Sequence, residues 1–308
     1  MKKYRGPIID AHHHLWDLNL NKHSWLIDDI ESNHLGDYSA IRNSYLVADF
    51  LKDSRKFPIE KSVHIQAGWD RSDPLGESSW LEYLSRTEHY PNAVVFYADL
   101  SDKHVESLLE KEALKKNIKG IRQILSWHEN PVYNGCGKNY LLMDEWKKNF
   151  SLLKKYHLSF DMQIYPEQVD EVCILLHRYD KIPIVISHAL MPIKRDPSYL
   201  SYWRNQLEKL SIFPNVSIKI SGIAMFDHRW TVGSFKQIIL PTVDIFSPAR
   251  CMIGSNFPVD KLYGTYDKIM SAYIDILSVY SDQEQTDMFY NAANIFYGLE
   301  NTKQKSPE

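Results

Sequence analysis

Short apolar runs and longer mixed stretches alternate along the whole chain. Eight runs rich in β-branched residues recur: "PIIDAHH", "SVHIQAG", "AVVFYADL", "IKGIRQIL", "LSFDMQIY", "IPIVISHA", "NVSIKISG" and "CMIGSNFP". Each has the length of a strand buried on both faces. Between them lie stretches with helical spacing of apolar positions, among them "ESLLEKEALKKN", "MDEWKKNFSLLKKYH" and "PEQVDEVCILLHRYD". Eight rounds of this alternation predict a parallel sheet with helices outside it, closed into a (β/α)8 TIM barrel. No shift of composition divides the chain, so one domain is expected over residues 1–300, with "NTKQKSPE" (301–308) as a solvated tail. The segment from about Trp16 to Lys61 is too long for an ordinary βα connection and reads as a lid or active-site loop after the first strand.

The end of the first run, "IIDAHHHLWDL", carries the densest chemistry. Side chains alternate across a strand, so Asp10, His12 and His14 are expected on one face and His13 on the other. That leaves a His-x-His pair at the strand's C-terminal end, where this fold builds its active sites. Two such imidazoles can reach one metal ion. The best third ligand is His188 at the end of the sixth run, expected to share its face with Ile184 and Ile186. Among the remaining histidines only His64 also points inward by alternation. A divalent ion on His12, His14 and His188 is therefore expected, zinc before manganese, with metal-independent chemistry by the same histidines as the alternative.

Other inward positions near strand ends are polar. Gln66 shares the parity of His64, Gln163 that of Asp161, and Lys219 that of Ser217 and Ser221, while Arg122 ends the fourth run. Buried charges are costly unless paired or used. A guanidinium and an ammonium at one opening suit an anionic substrate, above all a carboxylate; the bland alternative is a structural ion pair with Asp161 or Asp10. Trp16, Trp69, Trp127, Trp230 and Phe257 follow strand ends and could wall a pocket or simply pack loops together.

Composition narrows the partners. The 308 residues are 44% hydrophobic and 24% charged with net charge −3, an ordinary folded chain without the basic field that holds nucleic acid or an anionic membrane. No run approaches the ~20 apolar residues of a membrane span, and "MKKYRGPIID" lacks a signal sequence, so a cytoplasmic location is expected. Cys136, Cys173 and Cys251 form no paired spacing, which argues against disulfides. A small-molecule substrate is the expected partner, and nothing in the composition opposes a homo-oligomer.

"DAHHH", "VHIQAGWD", "GIRQ", "SHA", "KISG" and "MIGSNFPVD", taken in order over residues 7–299, resemble the amidohydrolase-related family of barrel enzymes, in its lactonase-type branch with the L-fuconolactonase-like hydrolases. The resemblance implies a mononuclear or metal-optional hydrolytic site. The family's His-x-His falls on His12 and His14, and its sixth-strand histidine on His188. Its eighth-strand aspartate, which takes a proton from the attacking water, falls on Asn256, and an amide cannot accept that proton. Asp260 folded back over the mouth, or His188, would then be the base; Asp260 could equally cap the helix "KLYGTYDKIMSAYIDIL". Gln163 stands where some relatives carry a fifth-strand histidine. The implied activity is opening of a lactone or related cyclic ester of a sugar acid or carboxylated small molecule. Gln66, Arg122, Gln163 and Lys219 would hold its polar groups, with Trp16 and Trp69 as the wall. The alternatives are a nonoxidative decarboxylase and a catalytically inactive ligand-binding barrel.

Overall fold

The apolar runs become eight strands in the computed structural model, which describes residues 3–28 and 33–299; the expected tail 301–308 lies outside the described residues. The strands are β1 (Ile8–His13), β2 (Ile59–Ile65), β3 (Ala93–Phe96), β4 (Ile118–Ile121), β5 (Ser159–Met162), β6 (Ile184–Ile186), β7 (Val216–Ile220) and β8 (Cys251–Ile253). Each pairs in parallel with the next. Beyond β8 the chain turns back to β1: Asn256 N donates to His12 O (2.7 Å) and His14 N to Phe257 O (2.7 Å), which closes the ring. The result is the expected single-domain (β/α)8 barrel.

One main helix follows each strand: α1 (Val47–Ser54), α2 (Gly76–Glu88), α3 (Val105–Glu112), α4 (Asp144–Phe150), α5 (Val169–Arg178), α6 (Pro197–Ser211), α7 (Val232–Phe246) and α8 (Tyr266–Leu277). Their apolar faces pack on the outward side chains of the sheet, including Ile8, Phe96, Phe160, Ile184, Ile186 and Ile218. A separate inner cluster fills the barrel: Ile9, Ala11, Val63, Ile65, Val95, Val185 and Met252, plugged from below by Tyr297 and Leu299 of the C-terminal segment. Among the described residues no helix is long and apolar enough to cross a membrane.

Simple alternation fails in two places that matter. In β1, Asp10 pairs with Ser62 and His13 with His64, three residues against two. Ala11 and His12 therefore stand opposite one residue of β2, a β-bulge that reverses the parity of the residues after it. Asp10 faces outward, where it accepts from Tyr266 of α8 (3.0 Å) and from Ser255 N (2.9 Å), whereas His12 and His14 face inward. The expectation that Asp10 shares their face is thus corrected. His13 points to the helices as expected and stacks on Phe50 of α1 at 4.4 Å. His64, its register partner, also faces outward and donates to Leu15 O rather than entering the barrel. In β6 the inward residue is Val185, so Ile184 and Ile186 do not share the face of His188. That histidine enters the mouth because the chain leaves β6 through four consecutive left-handed residues, His188 to Met191.

Lys219 marks a third correction. Its Nζ lies 2.5 Å from Asp161 Oδ2, both side chains are fully buried, and the Tyr297 hydroxyl donates to the same carboxylate at 2.9–3.0 Å. It sits in the barrel's middle layer and does not reach the mouth; the ion-pair alternative holds. Replacing Lys219 by Met alone strands a buried carboxylate, and we predict a loss of about 3–5 kcal/mol in urea unfolding. Lys219→Met with Asp161→Leu should recover most of it, and an unaltered unfolding midpoint in the single variant would contradict this account.

Candidate active site

A cavity of about 220 Å³ opens at the C-terminal ends of the strands. Seven of the expected residues line it: His14, Trp16, Gln66, Arg122, Gln163, His188 and Asn256. Gln163 and Arg122 arrive by strand parity, since Gly120 and Asp161 of the same strands face inward. Trp25, His34 and Leu35, from the long segment after β1, cover it, and Met225 and Val259 complete the rim. These five were missed individually, although the length of that segment marked it as a cover. Four of its residues, 29–32, lie outside the described residues.

His12 lies just beneath the cavity, its ring 5.1 Å from that of His14 and 4.6 Å from that of His188. Both of its ring nitrogens are buried without a hydrogen-bond partner. His14 Nδ1 donates to Ile65 O at 2.7 Å, which leaves a lone pair on Nε2. His188 Nδ1 lies 3.0 Å from Ser221 Oγ and also faces the Ser221 carbonyl, which places its proton there and again leaves Nε2 as the acceptor. Two glycines make room for these rings. A Cβ at Gly254 would meet His12 Cβ at 2.5 Å, and one at Gly222, where φ is +57°, would meet His188 Nδ1 at 2.5 Å.

Burial holds all three histidines well below their usual pKa, reinforced by Lys219 for His12 and by Arg122 for His14 and His188. They are neutral at pH 7. Arg122 is pushed down to about 10 by burial and remains charged. Its NH2 donates to Gln66 O (2.6 Å) and its NH1 to Gln163 Oε1 (3.2 Å), but Nε is buried without a partner, and among the described residues no carboxylate forms an ion pair with it. A buried cation held only by neutral oxygens is an anion site.

Asp260 does not fold over the mouth. It lies in the turn Val259–Leu262 behind Asn256, fully buried, and accepts from Asn256 Nδ2 at 2.7 Å. Nor does it cap α8; Thr265 does, accepting from Lys268 N. With no cation nearby, burial pushes its carboxyl up to about 8, so it is protonated at neutral pH. It orients the Asn256 amide and does not touch the cavity. Trp69 is displaced as well: it walls a smaller neighbouring chamber. Trp127, Trp230 and Phe257 line neither space.

Unpartnered imidazole nitrogens suit a divalent ion chemically, but Asn256 supplies no charge, and among the described residues no three His, Cys, Asp or Glu side chains are placed to hold a metal. The expected three-histidine ligand set is brought together without closing into a metal centre.

A family profile described as amidohydrolase matches residues 9–299. The chain is 35% identical over 296 residues to the uncharacterized protein y4mH of Sinorhizobium fredii, spanning 94% of this chain and 98% of that one. It is 25% identical over 278 residues to the L-fucono-1,5-lactonase of Burkholderia multivorans, spanning 85% of each. Among solved structures, an amidohydrolase from Burkholderia multivorans with bound zinc superposes with a TM-score of 0.80 at 23% identity, over 96% of this chain and 100% of that one. A 5-carboxyvanillate decarboxylase from Novosphingobium aromaticivorans complexed with manganese gives 0.64 at 13% identity, over 96% of each. At such identities the solved structures speak for the fold.

Asp260 yields a pH prediction. Its carboxyl moves from an ordinary 3.8 to about 8 on folding, so between those values the folded state holds a proton that the unfolded state has lost. Its contribution to stability is full at low pH and falls as pH rises toward 8, by up to about 1.4 kcal/mol per unit. Asp260→Asn keeps an oxygen for Asn256 and removes that slope, so melting temperatures of variant and parent should diverge in the variant's favour from pH 5 to pH 9. Parallel curves would show that Asp260 ionises normally.

Proposed function

The chain belongs to the amidohydrolase family and is an enzyme of that superfamily, and from this premise we propose that it hydrolyses a lactone or related cyclic ester of a small polar or carboxylated molecule. The observation that carries the reading is the buried Arg122, without a carboxylate partner, lining the same cavity as the neutral imidazole of His188, whose Nε2 lone pair is free. The likeness to the Burkholderia lactonases supports the ester class.

Each residue then has a definite task. Arg122 and Gln163 hold the carbonyl oxygen or a carboxylate and stabilise the negative charge that develops as water adds. His188 Nε2 accepts the proton of that water; a neutral imidazole with a low pKa is in its basic form throughout the neutral range. The tetrahedral adduct collapses with cleavage of the ring C–O bond, and the proton passes from His188 to the leaving alkoxide, giving a hydroxy acid. Asn256, aimed by Asp260, hydrogen-bonds the water or the substrate and moves no proton. Trp16, which stacks on His14, and Trp25 and Leu35 of the covering segment exclude bulk solvent from the cavity. Zinc or manganese, as seen in the fold neighbours, would supply Lewis acidity, but the donor set at this mouth does not fit one and no step here needs it.

A panel of sugar 1,4- and 1,5-lactones and carboxylated lactones tests the reading, with formation of the hydroxy acid followed by the proton it releases into a weak buffer. We expect turnover that survives chelator and lacks dependence on added zinc, a loss of about 10²–10⁴-fold in kcat for His188→Ala, and an acid limb of kcat/KM lying well below pH 6.5. Absence of hydrolysis across the panel, or carbon dioxide release from aromatic acids instead, would overturn the proposal. Activity abolished by chelator and restored by zinc would overturn its metal-free form alone.

A further inference from the structure

We propose that the smaller chamber beside the main cavity is a subsite for a second carboxylate of the substrate, held by Arg71. The inference deepens the hydrolase reading and rests on it for the first anchor, Arg122. The chamber, of about 80 Å³, shares Gln66, Gly68 and Ile124 with the main cavity, so the two spaces meet across that sill. One molecule can therefore occupy both. Its far wall is Trp69, Tyr97 and Tyr140, flat surfaces that leave Arg71 as the charged group of the lining.

Arg71 is held for this task and not consumed by another. Its guanidinium carbon lies 5.0 Å from the centre of the Tyr97 ring, a cation–π contact that holds it against that wall. Among the described residues it forms no ion pair. Asp99, which lines an outer cleft together with Arg71, accepts from Ser101 N (2.9 Å), Ser101 Oγ (2.7 Å) and Gln123 Nε2 (2.8 Å) through Oδ1 and forms no ion pair with the guanidinium. Asp70 and Asp73 pair with Lys22 at 3.5 and 3.0 Å. Trp69 is immobilised as a wall by its bond to Asp73 (3.2 Å) and by stacking on Trp80. A guanidinium at each end of a joined pair of spaces, with aromatic and amide walls between, matches an acid with two separated carboxylates. Arg122 takes the one at the histidines and Arg71 the distal one.

Calorimetric titration of the whole protein with the straight-chain dicarboxylates from succinate to suberate, each beside its monomethyl ester, tests this directly. At the length that spans both guanidiniums the diacid should bind at least about tenfold more tightly than its ester. Arg71→Leu should bring the diacid down to the level of the ester, and Arg71→Lys, which keeps the charge but not the fork, should restore part of the preference. Equal preference in Arg71→Leu, or no preference at any length in the parent protein, would overturn the subsite. The two readings fail separately: lactone turnover without an Arg71-dependent preference removes the subsite alone, and such a preference without lactone turnover removes the hydrolase assignment alone.

Discussion

The bulge in the first strand is the constraint on which the site depends. It places two residues where the neighbouring strand has one, and so turns Asp10 toward the helices while His12 and His14 enter the barrel. Asp10 is then free to tie the ring shut, accepting from the backbone of Ser255 and from Tyr266. The chain after β8 runs so close to His12 that only glycine fits at 254. Closure of the barrel and delivery of the histidines are thus a single geometric event.

Charge inside the barrel is divided by height. In the middle layer, Lys219 and Asp161 neutralise each other and a phenol completes the carboxylate's shell. At the mouth, Arg122 is fixed by oxygens that carry no charge, and the carboxyls closest to the site are themselves protonated or near it: Asp260 at about 8 and Glu77, behind Ala67, at about 7. Burial raises both, for Glu77 against the opposing pull of the Ala67 N–H and Arg122, and for Asp260 against that of the Asn256 amide. The mouth therefore keeps a positive potential that the interior beneath it lacks, which favours an anionic substrate and steadies a developing oxyanion.

The eight strands, their order and the His12, His14, His188 assembly were legible because apolar runs of strand length recur with helices between them. Gln163 was legible because it follows the inward parity of Asp161, and Arg122 because a charge at the end of a buried run must be paired or used. Lys219 shares that parity but sits one layer too deep, and alternation carries no information on depth. Asp10 and the β6 isoleucines were misplaced because a bulge and a left-handed exit are set by pairing and closure, not by local pattern. Trp25, His34 and Leu35 could be anticipated only as a segment, since which side chains of a cover touch the site depends on how it lies across the barrel. Asn256 was visible as a departure, but its meaning required Asp260 behind it, a contact between a residue and the turn four positions on.

The Tyr297 hydroxyl reaches Asp161, and Lys61 reaches the Leu299 carbonyl at 2.6 Å. Both partners on the barrel side are synthesised long before residues 297 and 299 leave the ribosome. Until then Asp161 lacks the phenol and Lys61 the carbonyl that completes its set of partners, and the base of the barrel lacks its cover. The floor arrives last, and its arrival dries the interior.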